Sequence, residues 1–145
     1  IIENLIETGN HLEQFVATIP KEKELYVYAE GKWTFKEILV HVIDTERIFN
    51  YRALRFARND WTELPGSVHV FYNKYVSTTS RELQELLDEF KTVRASSISL
   101  YKSFSEEVLL RKGSASGNII SVRAIGFLIS GHQKHHLKIF KERYF

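Results

Sequence analysis

The sequence predicts an all-α protein, a four-helix bundle with a long crossover connection. Three observations carry that expectation. Four stretches repeat apolar residues at helical spacing, hydroxyl caps stand where three of them begin, and no fixed-period repeat of the kind that builds a solenoid is present. Residues 1–145 read as one domain, because a chain of 145 residues buries roughly 68–70% of its unfolded surface in a single core.

The first helix is expected over residues 1–19, where Ile2, Leu5, Ile6, Leu12, Phe15, Val16 and Ile19 recur near helical spacing until Pro20 stops them. Residues 21–32 read as a connecting loop that tucks in Tyr26 and Tyr28 before Gly31. Trp33 then precedes a T-x-x-E capping box, Thr34 with Glu37, which opens a run free of Pro and Gly through Asn59. The apolar residues of this second helix, Phe35 to Phe56, cover a broad arc, so it is expected to pack against several neighbours, with His41 at the arc's edge beside Thr45. Residues 60–66 carry turn chemistry, and 67–76 form a crossover segment. Thr79 with Glu82 makes another T-x-x-E box, opening a third helix whose stripe is Leu83, Leu86, Leu87, Phe90, Val93, Ile98 and Tyr101. Residues 105–113 read as one or two helical turns with acids first and bases last, and residues 113–118 as a small-residue loop. Ser121 caps the fourth long helix.

Composition narrows the function. Twenty Lys and Arg against 18 Asp and Glu leave a formal charge of +2, too small for a dedicated nucleic-acid footprint. Without cysteine the chain has no thiolate metal site, no disulfide and no thiol nucleophile, so any metal must bind through histidine and carboxylate. No apolar run approaches the roughly 20 residues that span a bilayer, and the start has no basic region followed by an apolar block, so a soluble, cytoplasmic protein is expected. The first residue is Ile and not Met, which is read as a chain lacking its native first residues. No Gly-rich phosphate cradle, G-x-S-x-G elbow or H-E-x-x-H is present.

The chemistry concentrates in histidine. On the fourth helix Ile125, Leu128, Ile129, His132, His136, Ile139 and Phe140 fall within one arc of about 120°. Two imidazoles therefore sit where a core would want leucines. Buried without partners each would cost on the order of 1–3 kcal/mol, so His132 and His136 either hydrogen-bond to hydroxyl or backbone groups or chelate one ion from adjacent turns. His135 drops off this seam. Of the six histidines, at 11, 41, 69, 132, 135 and 136, only 41, 132 and 136 take inward or edge positions of helices. If the second and fourth helices are neighbours, His41 completes a three-nitrogen set with a coordination position left open. Zinc is the default ion for such a set, and nickel, iron, cobalt and manganese also accept imidazole. Asp44 and Glu46 flank His41 and either orient its ring or, more commonly for such residues, are solvated helix charges. Arg47, Arg52, Arg55 and Arg58 share an arc of about 140°, an anion-binding or nucleic-acid face in one reading and a solvated face with ion pairs in the other.

Two of these stretches carry a family resemblance. Trp33-Thr-Phe-Lys-Glu-Ile-Leu-Val-His41-Val-Ile-Asp-Thr-Glu-Arg-Ile-Phe49 resembles the second-helix signature of the DinB/YfiT-like family of metal-dependent enzymes. Ser121-Val-Arg-Ala-Ile-Gly126 with Gly131-His132-Gln-Lys-His135-His136 resembles its fourth-helix G-H-x-x-H-H signature. The resemblance spans the chain in order and spacing. It implies a four-helix bundle with a long crossover, a homodimer, and a divalent metal held by His41, His132 and His136. Zinc or nickel stands first, with iron, manganese or cobalt as alternatives. Some members activate a low-molecular-weight thiol for transfer or isomerisation. The function expected is therefore activation of a thiol or water toward a small-molecule substrate, as an S-transferase or hydrolase. The alternative is a non-catalytic, dimeric metal-binding or stress-response module. After Leu64-Pro65-Gly66 the chain departs from the family pattern, placing Ser67-Val-His-Val-Phe71 where relatives carry acids.

Overall fold

The computed structural model describes residues 1–27, 29–66, 69–76, 78 and 80–143. Within them the chain runs α1 (Ile2–Ala17), a single helical turn (Lys21–Lys23), α2 (Phe35–Ala57), a short α3 (His69–Lys74), α4 (Leu83–Lys102), a short α5 (Glu106–Leu109), a hairpin of β1 (Lys112–Ala115) and β2 (Asn118–Ser121), and α6 (Val122–Arg143). The four long helices form the expected bundle.

Local chemistry sets most boundaries. The Thr34–Glu37 box closes in both directions, with Glu37 N donating to Thr34 Oγ1 at 3.1 Å and Thr34 N donating to Glu37 Oε1 at 3.3 Å. Ser105 and Ser121 accept from Val108 N and Ala124 N and so cap α5 and α6. The other box does not set its helix. Thr79 lies outside the described residues, and α4 starts at Leu83 with Glu82 in an extended conformation as its N-cap and no side-chain capping bond. The loop around Tyr26 is also more open than expected, since Tyr26 is 38% exposed; Tyr28 and the departure at Ser67 and Val68 fall outside the described residues.

The segment read as a small-residue loop is an antiparallel hairpin in which Gly113 pairs with Ile120 and Ala115 with Asn118. Its turn is Ser116-Gly117, with φ of 53° and 77°, the positive pair that a two-residue type I′ turn requires. Strands of four residues with a glycine in the first are too short for alternation to register in sequence. Gly113 is there because β1 lies on α2, where a Cβ would overlap the Phe56 ring. Leu64 joins β1 through a backbone bridge, with Leu64 N donating to Ser114 O and Ser116 N to Leu64 O, both at 3.0 Å.

Around the bundle α2 packs on α4 and α6, and α1 packs on the same two helices, so α1 and α2 take opposite corners. The direction of each helix follows from what meets at each end. One apolar cluster combines the start of α1 (Leu5), the ends of α2 (Phe56) and α4 (Tyr101), and the start of α6 (Val122, Ile125). The other combines the end of α1 (Val16), the starts of α2 (Phe35) and α4 (Leu86), and the end of α6 (Phe140). Helices α2 and α4 are therefore parallel neighbours. Returning to the start of a helix that is roughly 34 Å long takes a long link, which is why residues 58–82 form a crossover.

Between the two apolar clusters lies a polar layer. Arg94 donates to Glu46 Oε1 from Nε at 2.7 Å and to Oε2 from Nη2 at 3.1 Å, to Gln133 Oε1 at 2.6 Å, to Leu5 O at 2.8 Å and to Thr8 Oγ1 at 2.9 Å. Ser97 Oγ adds a bond to Glu46 Oε1 at 2.6 Å, and Gln133 Nε2 donates to Thr8 O. All these residues are 4% exposed or less. Glu46, expected as a solvated helix charge, is thus a buried anion at the centre of the molecule, and the physical reason is Arg94 opposite it on α4.

Candidate metal centre

Helix α2 is oriented by its capping box and buried on both flanks, which fixes His41 against α6. His41 is 7% exposed, while His132 and His136, one turn apart on α6, are half-buried. The fourth helix is rotated relative to its expected stripe. Its buried face is Val122, Ile125, Gly126, Ile129, Ser130, Gln133 and Phe140, with Leu128 41% exposed. Gln133 takes the core position, and the two histidines stand at the edge of the α2–α6 seam.

That rotation brings three nitrogens together. His41 Nε2 and His136 Nε2 each lie 3.1 Å from His132 Nε2, and one ligand atom from each of the three residues falls within 4.8 Å of the others. A metal about 2.0–2.1 Å from each nitrogen in tetrahedral geometry separates its ligands by about 3.3 Å, so the spacing fits one ion. Proton bookkeeping agrees. A neutral imidazole has one N–H and one ring-nitrogen lone pair, and His132 Nε2 faces a ring nitrogen of each of the other two histidines, the spacing that lone pairs turned toward one ion also produce. An ion would engage all three lone pairs together.

Neighbouring groups hold the rings. Thr45 Oγ1 lies 3.5 Å from His41 Nδ1, at the outer limit of a hydrogen bond. Its side on the ring leaves Nε2 turned toward the other two histidines. Trp33 packs on His41 with ring centroids 5.1 Å apart, and Phe49 meets His132 edge-on at 6.2 Å. Threonine at i+4 from His41 was visible in sequence; the aromatic walls were visible only as residues, because their contacts cross between elements. His135 is exposed and outside the three-nitrogen set, its ring centroid 5.4 Å from that of His136. His11 is exposed beside Glu7, Asp44 is half-buried, and neither His11 nor Asp44 is in the three-nitrogen set.

The arginine row divides. Arg55 pairs with Asp60 at 2.7 Å, Arg47 with Glu89, and Arg52 donates to Pro65 O at 3.2 Å and Ser116 Oγ at 3.4 Å. It is not one continuous basic face. Among the described residues no helix is long and apolar enough to cross a membrane.

Comparison with known proteins places the fold. A family model described as the DinB superfamily matches residues 4–140. YfiT from Bacillus subtilis, a probable metal-dependent hydrolase with an unusual four-helix bundle topology, superposes with a TM-score of 0.84 at 18% identity, covering 97% of this chain and 82% of its own. The mycothiol-dependent maleylpyruvate isomerase gives 0.75 at 12% identity over 93% of this chain and 57% of its own length. A DinB-like protein from Bacillus subtilis gives 0.64 at 16% identity over 99% and 88%. At these identities the likeness is one of fold. No curated protein is significantly similar in sequence.

Proposed function

We propose, from the premise that the chain belongs to the DinB superfamily, that His41, His132 and His136 bind one divalent transition metal and that the bundle is a metal-dependent enzyme acting on a small molecule. The observation that carries the reading is the convergence of three Nε2 atoms, from two helices, at spacings that suit one ion. Zinc or nickel is the first choice, with iron, manganese or cobalt accommodated by the same nitrogens. With three protein ligands and an open position, such an ion acidifies a thiol or a water, which suits S-transfer or hydrolysis.

The chain's own residues do the positioning. Trp33 packs on the buried His41 and holds its ring, and the half-buried rings of His132 and His136 are the members of the cluster a substrate can reach. Phe49 limits water around His132. A low-molecular-weight thiol as cosubstrate and a homodimer belong to the same reading. Neighbouring exposed Phe127 and Leu128 on the outer face of α6, 47% and 41% exposed, suit an apolar contact between copies.

Elemental analysis of protein prepared without an affinity tag or chelator tests the reading: about one transition-metal ion per chain is expected, with His132→Ala abolishing it. Metal-free protein whose thermal midpoint stays unchanged on adding zinc or nickel would overturn it.

A further inference from the structure

A cavity of about 320 Å³ lies between α2 and the start of the crossover. Ile48, Leu64 and Pro65 give it apolar walls, Tyr51 and Tyr72 its aromatic rim, and Arg47 and Arg52 its charge. It is aligned with the histidines. On α2, His41, Thr45, Ile48 and Arg52 fall within an arc of about 60°, with Ile48 about 10 Å and Arg52 about 16 Å along the axis from His41.

The charge of this cavity is one-sided, because among the described residues no acid lines it. Arg47 meets Glu89, but Glu89 is shared with Arg81 at 2.7 Å, so two guanidiniums face one carboxylate. Arg52 is half-buried, and its bonds to Pro65 O and Ser116 Oγ, at 3.2 and 3.4 Å, are long and go to neutral oxygens. Arg55, by contrast, is neutralised by Asp60 and stands outside the cavity. A planar guanidinium fork beside apolar and aromatic walls matches a carboxylate carried on an apolar body.

We infer that this cavity seats the carboxylate end of a small organic acid, whose other end extends along α2 toward His41, His132 and His136. Arg52 is the primary anion contact, Arg47 the second, and the apolar walls select a hydrocarbon or aryl body over a bare anion. The inference rests on the proposed metal-centred function for what happens at the far end of the ligand, and on the cavity alone for the binding itself.

The test titrates full-length protein with 4-phenylbutyrate and with its uncharged amide, followed by calorimetry and by NMR of backbone amides and histidine rings. Saturable binding of the acid is expected, with the amide and the Arg52→Gln variant each weaker by about 10- to 100-fold, the range of a charge-assisted hydrogen bond. Arg47→Gln, at an exposed position, should weaken binding less. A longer acid, 8-phenyloctanoate, whose body spans most of the roughly 16 Å between Arg52 and His41, is also expected to shift the ring signals of His132 and His136. Equal binding of acid and amide, equal binding by Arg52→Gln, or inorganic phosphate competing as well as the organic acid would each overturn the proposal; unmoved histidine signals would overturn the shared site. The acid–amide comparison needs no variant, so it stands even if a substitution impairs folding. Repeating it on chelator-treated protein separates the two readings. Retained discrimination without metal uptake supports the cavity and sinks the metal centre, while metal uptake without discrimination does the reverse.

Discussion

Two polar clusters occupy neighbouring positions of the same helices and are built on opposite principles. Glu46 and Gln133 belong to the buried layer with Arg94, while Thr45 and His132, which adjoin them in sequence, belong with His41 to the candidate metal centre. The layer is closed: all five N–H groups of Arg94 find acceptors, and both oxygens of Glu46 find donors. The histidine cluster is open, with three ring nitrogens facing one another at its centre. A polar group in a bundle core must be satisfied; the layer is satisfied by its own residues and so acts on the fold, whereas the role proposed for the histidine cluster is to hold a ligand.

The largest expected effect tests closure. Arg94→Met leaves Glu46 buried and unpaired and should cost about 3–5 kcal/mol of stability, whereas the double variant Glu46→Leu with Arg94→Met should recover most of that. Denaturant unfolding measures both, and a single-variant cost below about 1 kcal/mol would show that the layer is not closed in solution. The opposite result is expected at the other cluster. His132→Ala should leave the metal-free stability nearly unchanged, because His132 sits at the seam's edge and not in the core. It should remove the stabilisation by added metal, about 2.7 kcal/mol when free metal is 100-fold above Kd. A thermal midpoint that still rises with metal in this variant would remove His132 from the site.

A subtler change asks how far the open cluster depends on its support. Thr45→Val keeps the shape of a buried side chain and removes its hydroxyl. Loss of a group that orients a ligand histidine typically costs 10- to 100-fold in metal affinity. The 3.5 Å separation here is long, so the lower end, about tenfold, is expected in a competition titration with a metal-binding dye. No change in affinity would mean that packing by Trp33, and not Thr45, sets the His41 ring.

What was legible in sequence follows the range of each interaction. Periodicity and caps are local, so four helices and the Thr34 and Ser121 starts could be read directly, and the family signatures pointed to the three histidines. The offset of α6 was not legible, because Leu128 and Gln133 exchange their expected roles only once Arg94 stands opposite Gln133. Yet Arg94 and Ser97 do lie in the α4 stripe, at i+4 and i+7 from Phe90 and alongside Val93 and Tyr101. Polar residues in a core stripe were the available sign of a buried network, masked because Ile98 offered an apolar substitute. The hairpin was hidden by its brevity.

Glu89 supplies the half-buried counterpart, a carboxylate with two arginines that is far less enclosed than Glu46. Burial pushes its pKa up, and the bonds from Arg47 and Arg81 outweigh that, holding it below the usual 4.5. A carboxylate with a lower pKa in the folded state stabilises the fold fully above its unfolded pKa and loses that contribution as pH falls through the folded value. Glu89→Gln should therefore destabilise by less than about 1 kcal/mol at pH 7, as exposed ion pairs do, with the gap to the unaltered protein closing as pH falls below about 4 and shrinking in high salt. If it instead cost as much as Arg94→Met at pH 7, enclosure would not be what separates the buried layer from a surface ion pair, and the contrast between the closed and open clusters would have to be rebuilt on charge alone.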